Sequence, residues 1–410
     1  MLFMVKFNRA TNKIARVVPQ LLVVFFLLSS PLHAAYYDVL PKGVRNFTWR
    51  FVQTGTITGS YNGSGDFKGY NVNANINAEA IRGVNGAVDA YLDTLKVSSP
   101  ADYAAFSLGT FEGSAKSKVH AQGLGGGYGV TDKLTFYGFV PFYTAEVDLQ
   151  INRTAKGQTT AGTNASVILQ NLPDVDVRLI QSLFVNYYNY QPLGRWNANA
   201  FGDAELGFLY QLRKWRNAGA LISMGAVAPT GRKDNPDILQ DISFGDGQWD
   251  AFYEFGGGFA FDPNWSLDLW SRLTYQFPYH AIVRQPDSST FPVTKNKGEA
   301  RIKLGNKYAG NTQLNYSWND EFSTGLVYGV EYTEKTDYRS QNATADHILE
   351  TDTEKISHVA RINFNFSTIG LYNQKKFFLP FGVTLAGQSI FAGKNIPKYD
   401  RVDAEFRFFF

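Results

Sequence analysis

Ten charged residues fall on alternate positions of segments whose intervening positions are mostly apolar: Arg50, Asp203, Glu205, Glu254, Asp268, Arg272, Arg361, Asp403, Glu405 and Arg407. Side chains at every second residue of a strand share one face, so these carboxylates and guanidiniums are expected to meet in one compartment. Two kinds of chemistry suit that arrangement. The charges can line a lumen that binds or steers a solute, or they can form a cross-strand ion-pair network that fills an interior for stability. Mixed signs argue against strong ion selectivity, which uses rings of one sign.

Other reactive patterns are thin. The chain has no cysteine, which removes disulfides, zinc–thiolate sites, iron–sulfur clusters and thiol nucleophiles together. The histidines beyond the N-terminal leader, His120, His280, His347 and His358, are scattered and show no metal-ligand spacing. The acidic stretch Asp234, Asp237, Asp241, Asp246 and Asp250 does not match a calcium loop and reads as a solvated loop. Alternate glycines at 123, 125, 127 and 129 fail the dinucleotide fingerprint because Tyr128 stands where its third glycine belongs. They leave room on one strand face, for packing or for the approach of a loop or substrate. No nucleophile elbow is present. No catalytic residue, metal site or cofactor is therefore expected, and the chain is not read as an enzyme. A hydrolase dyad assembled from distant loops stays open as an alternative.

The elements that carry these residues repeat with a period of two. At the C-terminus Val402, Ala404, Phe406, Phe408 and Phe410 alternate with Arg401, Asp403, Glu405, Arg407 and Phe409, which is a strand with an apolar and a polar face. Similar runs predict strands near 44–53, 118–130, 134–152, 200–212, 218–229, 249–261, 266–278, 309–318, 322–335, 355–367, 378–391 and 399–410. That makes about twelve, or fourteen if 55–77 adds a hairpin. Tight connections (131–133, 213–217, 262–265, 319–321) alternate with long ones (54–117, 153–197, 231–248, 279–308, 336–354). Aromatics crowd the tight turns: Tyr128, Phe136, Tyr210, Trp215, Phe261, Trp265, Trp318 and Phe322. Short periplasmic turns, long outer loops and an aromatic girdle define an all-β fold, a transmembrane antiparallel up-and-down β-barrel. Phe406, Phe408 and Phe410 resemble the C-terminal signal read by the barrel assembly machinery.

Two loop segments switch to helical spacing. Ile81, Val84, Val88, Leu92 and Leu95 form one stripe, and Ile180, Leu183, Phe184 and Tyr187 form another after a Pro173-Asp174 start. These short helices in the long outer loops offer a candidate hydrophobic groove, lying across the barrel mouth or folding into the lumen.

Composition agrees once the leader is set aside. Residues 1–34 read as a cleaved signal peptide, with Lys6, Arg9, Lys13 and Arg16 before the apolar run Leu21–Leu28. Without those four bases the net charge of +3 becomes −1, so the chain is no basic nucleic-acid binder. Residues 35–410 read as one barrel domain, with 54–117 and 153–197 as long loops or a plug. Mean hydropathy is only −0.22, as expected when lipid-facing and water-facing residues alternate.

The runs Gly202-Asp-Ala-Glu-Leu-Gly207, Val227-Ala-Pro-Thr-Gly231 and Phe244-Gly-Asp-Gly-Gln-Trp-Asp250, with the Gly123–Val130 strand and its Thr-Asp-Lys turn, resemble the phenol-degradation meta-pathway family of outer-membrane barrels. A looser similarity is to long-chain fatty-acid transporters, although the segment after Ala35 lacks their Asn-Pro-Ala opening. The resemblance implies passive, selective uptake of small hydrophobic or aromatic solutes across the outer membrane of a Gram-negative cell. Expected partners are outer-membrane lipids and lipopolysaccharide, the assembly machinery and the solute, with no nucleic acid. A structural or surface-contact barrel is the other reading.

Overall fold

The computed structural model describes residues 37–82, 86–158, 176–289 and 292–410. The leader and its cleavage point lie outside the described residues. Twelve strands close into one antiparallel barrel: β1 (Arg45–Thr54), β2 (Ser107–Thr131), β3 (Leu134–Gln158), β4 (Ala204–Lys214), β5 (Ala218–Ala228), β6 (Asp250–Ala260), β7 (Trp265–Gln276), β8 (Lys307–Ser317), β9 (Phe322–Thr333), β10 (Lys355–Ser367), β11 (Phe381–Lys394) and β12 (Asp400–Phe409). Each pairs with its sequence neighbours, and closure comes from β1, where Arg50 sits opposite Gly123 of β2 and Glu405 of β12. Closure gives every wall strand a partner on both sides, which a span through lipid requires.

Residues 55–77 add no strand to the wall. Gly59–Tyr61 and Phe67–Gly69 form a small sheet with Ile396–Pro397. Asn71–Asn77 runs instead along the outer half of β2. The reason is length: β2 and β3 each have 25 residues, far more than the roughly 9–11 that cross a bilayer. Their outer halves stand beyond the membrane and need partners for exposed backbone groups. Asn71–Asn77 covers one edge, and Arg195–Phe201 covers the other by pairing with β3.

Alternation sorts the side chains as the pattern requires. Leu206, Phe208, Tyr210 and Leu212 are exposed on the outer wall of β4, and so are all eight aromatics at the tight turns. Inward, Glu205 pairs with Arg272 at 2.7 Å. Leu206→Arg is expected to lower folding stability in a bilayer by about 2–4 kcal/mol, as for cations near the mid-membrane lipid face. A urea midpoint equal to the wild type's would place Leu206 away from lipid.

The fifth turn at the periplasmic end, 368–380, is longer than the other four and carries the helix α5 (Ile369–Asn373). At five residues it is too short for apolar periodicity to reveal. On the outer side lie α1 (Gly86–Ser98), α2 (Pro100–Ala105), α3 (Val177–Ser182), continuing as a π-turn to Tyr187, and α4 (Ala343–Glu350).

Candidate functional site

The inner wall formed by β1, β10 and β12 is a block of charge. Asp403 meets the guanidiniums of Arg50 at 2.8 Å and Arg401 at 3.2 Å, and it also pairs with Arg361. All four side chains are nearly inaccessible. Arg361 donates in addition to Asn363 at 2.5 Å, and Arg407 pairs with Glu405 at 2.6 Å. Arg401 belongs to this block although the ladder of ten candidates did not include it. Its place on the polar face of the last strand was the available signal.

The opposite wall is organised around Arg272. Its guanidinium pairs with Glu205 and lies 3.9 Å from the ring centroid of Phe252. Tyr137 donates to the same Glu205 at 2.8 Å. Glu254 stands opposite Arg272 in the β6–β7 register. Further along, Asp203 accepts the backbone N–H groups of Gly231 and Asp246 at 2.8 and 2.9 Å, and Asp268 accepts from Asn315 at 2.8 Å.

Between these walls three cavities run in series. An outer vestibule of about 610 Å³ lies among the loops, with Ile282, Ile302, Leu304, Leu349 and Tyr338 in its lining. A middle chamber of about 120 Å³ shares Asp246, Lys307 and Glu331 with the vestibule. A chamber of about 740 Å³ at the periplasmic end shares Phe139, Glu205 and Arg272 with the middle one. Of the ten ladder residues, Arg50, Asp203, Glu205, Glu254, Arg272, Glu405 and Arg407 line these spaces. Asp268, Arg361 and Asp403 are buried in the wall network instead.

The periplasmic chamber is bordered by the chain's own residues 38–41. Residues 37–43 fold into the barrel end: the Tyr37 carbonyl accepts from Gln211 at 2.8 Å, and Asp38 pairs with Lys214 at 2.6 Å. Leu40 N–H donates to Thr135 at 2.9 Å, and Gly43 N–H to the Gly129 carbonyl at 2.8 Å. A β-carbon on Gly219 would overlap the Tyr37 ring, and one on Gly129 would overlap the Pro41 backbone. The glycine stripe of β2 thus accommodates a chain segment at its periplasmic end, while Gly123 and Gly125 lie under the Phe139 ring.

The loop helices do not form an open groove. Ile81, Leu92, Ile180 and Phe184 are buried together with Phe111, Val147 and Leu149 on the tall β2–β3 hairpin, and Leu183 and Tyr187 are half-buried. None of these lines the three cavities. The expected groove side chains are spent as the core of a cap. Val84 and the Val88 side chain lie outside the described residues.

The acidic stretch is solvated only in part: Asp241 and Asp250 are buried. Asp241 is fully buried and held by both terminal nitrogens of Arg232 at 2.8 and 2.9 Å. Asp237 bridges Arg284 and Lys297 at 2.5 and 2.9 Å. Although burial opposes ionisation there, those two cations hold its carboxyl below the ordinary value. Asp234, by contrast, is exposed. Among the described residues no group of three or more histidines and acids could hold a metal ion.

Fold and lumen define a class: a narrow, closed twelve-stranded antiparallel barrel with its interior crossed by charge. No protein-family model matches the chain, and no curated protein does. Among solved structures, the crystal structure of an outer-membrane channel from Pseudomonas putida F1 matches over 93% of this chain and 100% of that one, at 14% identity and a TM-score of 0.53. The Pseudomonas putida toluene transporter TodX aligns over 99% of this chain and 98% of that chain at 9% identity, with a TM-score of 0.36. The first likeness concerns fold alone, and the second is too low to carry an argument.

Proposed function

We propose that this chain is a passive, selective channel of the Gram-negative outer membrane for small hydrophobic or aromatic solutes. The observation that carries this reading is the series of three chambers, in which an outer vestibule lined in part by aliphatic side chains leads to a middle chamber of about 120 Å³. A general porin keeps a wide aqueous bore, whereas this lumen narrows to the size of a single ring or head group. The fold shared with the Pseudomonas putida F1 outer-membrane channel agrees with the reading, and so does the motif-level resemblance to the phenol-degradation barrels. The reading is of transport and not of catalysis. Its partners are the solute, the outer-membrane lipids with lipopolysaccharide, and an assembly machinery that reads Phe406, Phe408 and Phe410.

Purified barrel in vesicles is expected to bind toluene saturably and to admit it faster than protein-free vesicles do. Planar-bilayer recording should show a small or gated conductance. A large, permanently open conductance would overturn the selective reading. The buried Asp403 network favours the other reading, a structural barrel, and absence of saturable binding would decide for it.

A further inference from the structure

The middle chamber carries chemistry that a neutral hydrocarbon does not need. Five carboxylates line it: Asp203, Glu205, Asp246, Asp250 and Glu331. Only Arg272 and Lys307 oppose them, with Lys233, Lys355 and the Asp237-paired Arg284 in the vestibule lining beyond. Arg272 is committed to Glu205 at 2.7 Å, and Lys307 stands 3.7 Å from Asp246. Asp203 is satisfied by backbone N–H groups, and Asp250 by the Gln248 amide at 2.9 Å. Glu331 differs. It is 8% exposed, it lines both the chamber and the vestibule, and its Oε2 atom is buried with no hydrogen-bond partner in the protein.

A buried carboxylate oxygen without a donor is costly, and a cation placed beside it removes the cost. The same chamber offers the rings of Phe139, Tyr143 and Phe244, and the last two stand 5.4 Å apart between centroids. Aromatic faces attract ammonium groups. Size also fits: a dry cavity of about 150 Å³ takes up benzene, so about 120 Å³ suits a head group or one small ring.

We propose that the middle chamber is a seat for the protonated amine of an amphipathic organic cation, whose apolar body occupies the vestibule. This deepens the uptake reading and rests on it. An inorganic cation would use the carboxylates but leave the aliphatic part of the vestibule, Ile282, Ile302, Leu304 and Leu349, without a role.

The test compares three probes of one shape on the intact barrel in vesicles: phenethylamine, 2-phenylethanol and phenylacetate, at neutral pH. The amine is expected to bind on the order of tenfold more tightly than the alcohol, the gain of one charge-assisted contact, with the acid weakest. Glu331→Gln and Asp250→Asn should each bring the amine-to-alcohol ratio close to one. Heat-modifiable migration on gels shows that each variant is folded, and two variants guard against failure of either. Equal binding of amine and alcohol by the wild type, or a ratio that survives both substitutions, would overturn the seat while leaving uptake standing. Binding of neither probe would overturn uptake itself.

Discussion

Asp403→Asn is expected to destabilise the barrel by about 3–5 kcal/mol, the usual consequence of removing one partner from a buried ion pair. The size follows from the stoichiometry. One carboxylate serves the guanidiniums of Arg50, Arg361 and Arg401, and all four side chains are almost sealed from water. An amide in its place keeps the shape but removes the negative charge, leaving three buried cations with Glu405, itself engaged by Arg407, as the nearest carboxylate on that strand. Removing one cation should therefore restore part of the loss. Asp403→Asn combined with Arg361→Met is expected to be more stable than Asp403→Asn alone. Such non-additivity is the mark of groups that share one network. Urea titration of vesicle-inserted protein measures both. A single variant within about 0.5 kcal/mol of the wild type, as for an ordinary surface change, would show that the cluster is not a coupled unit.

That network also marks where the sequence stops being readable. Periodicity places a residue on a face of a strand, and it assigned Arg50, Asp403 and Arg361 to the same side. It does not say which inward residues touch. Arg361 and Asp403 lie on β10 and β12 with β11 between them. Arg272 and Glu205 lie on β7 and β4, separated by two strands. Contacts across a lumen depend on strand number, tilt and stagger together, and no local pattern encodes those. The cap shows the opposite limit. Its apolar stripes at Ile81, Leu92, Ile180 and Phe184 were visible as stripes, but whether they face a ligand or one another is a property of the tertiary structure. The strand count stayed open for a related reason: strand-like character in 55–77 was real, yet its partners were the overhanging edge of β2 and a small loop sheet. The segment 37–43 has no periodicity at all. Its only trace is on the surfaces that receive it, glycines at 129 and 219 whose purpose is evident once Pro41 and Tyr37 are seen against them.

Replacing Tyr37–Pro41 with a glycine–serine stretch of equal length is expected to raise single-channel conductance severalfold while leaving the barrel folded. The segment narrows the periplasmic chamber, where Val39, Leu40 and Pro41 are part of the lining beside Tyr137 and Trp270. Its attachments are few. Gln211, Lys214 and Thr135 hold it through contacts of 2.6–2.9 Å, with Gln211 also 3.5 Å from Asp38 and Lys214 5.8 Å from the Tyr37 ring centroid, each worth on the order of 1 kcal/mol or less. The wall owes its integrity to strand pairing that does not involve residues 37–41, so loss of these contacts opens space without breaking a strand. Gly219→Val provides an independent route to the same end, because a branched side chain there takes the place of the Tyr37 ring. If both variants insert and migrate as folded barrels yet conduct like the wild type, the restriction lies elsewhere. The Arg272–Glu205 pair, shared by the middle and periplasmic chambers, would then set the bore, and Arg272→Ala rather than the N-terminal change would be the substitution that opens it.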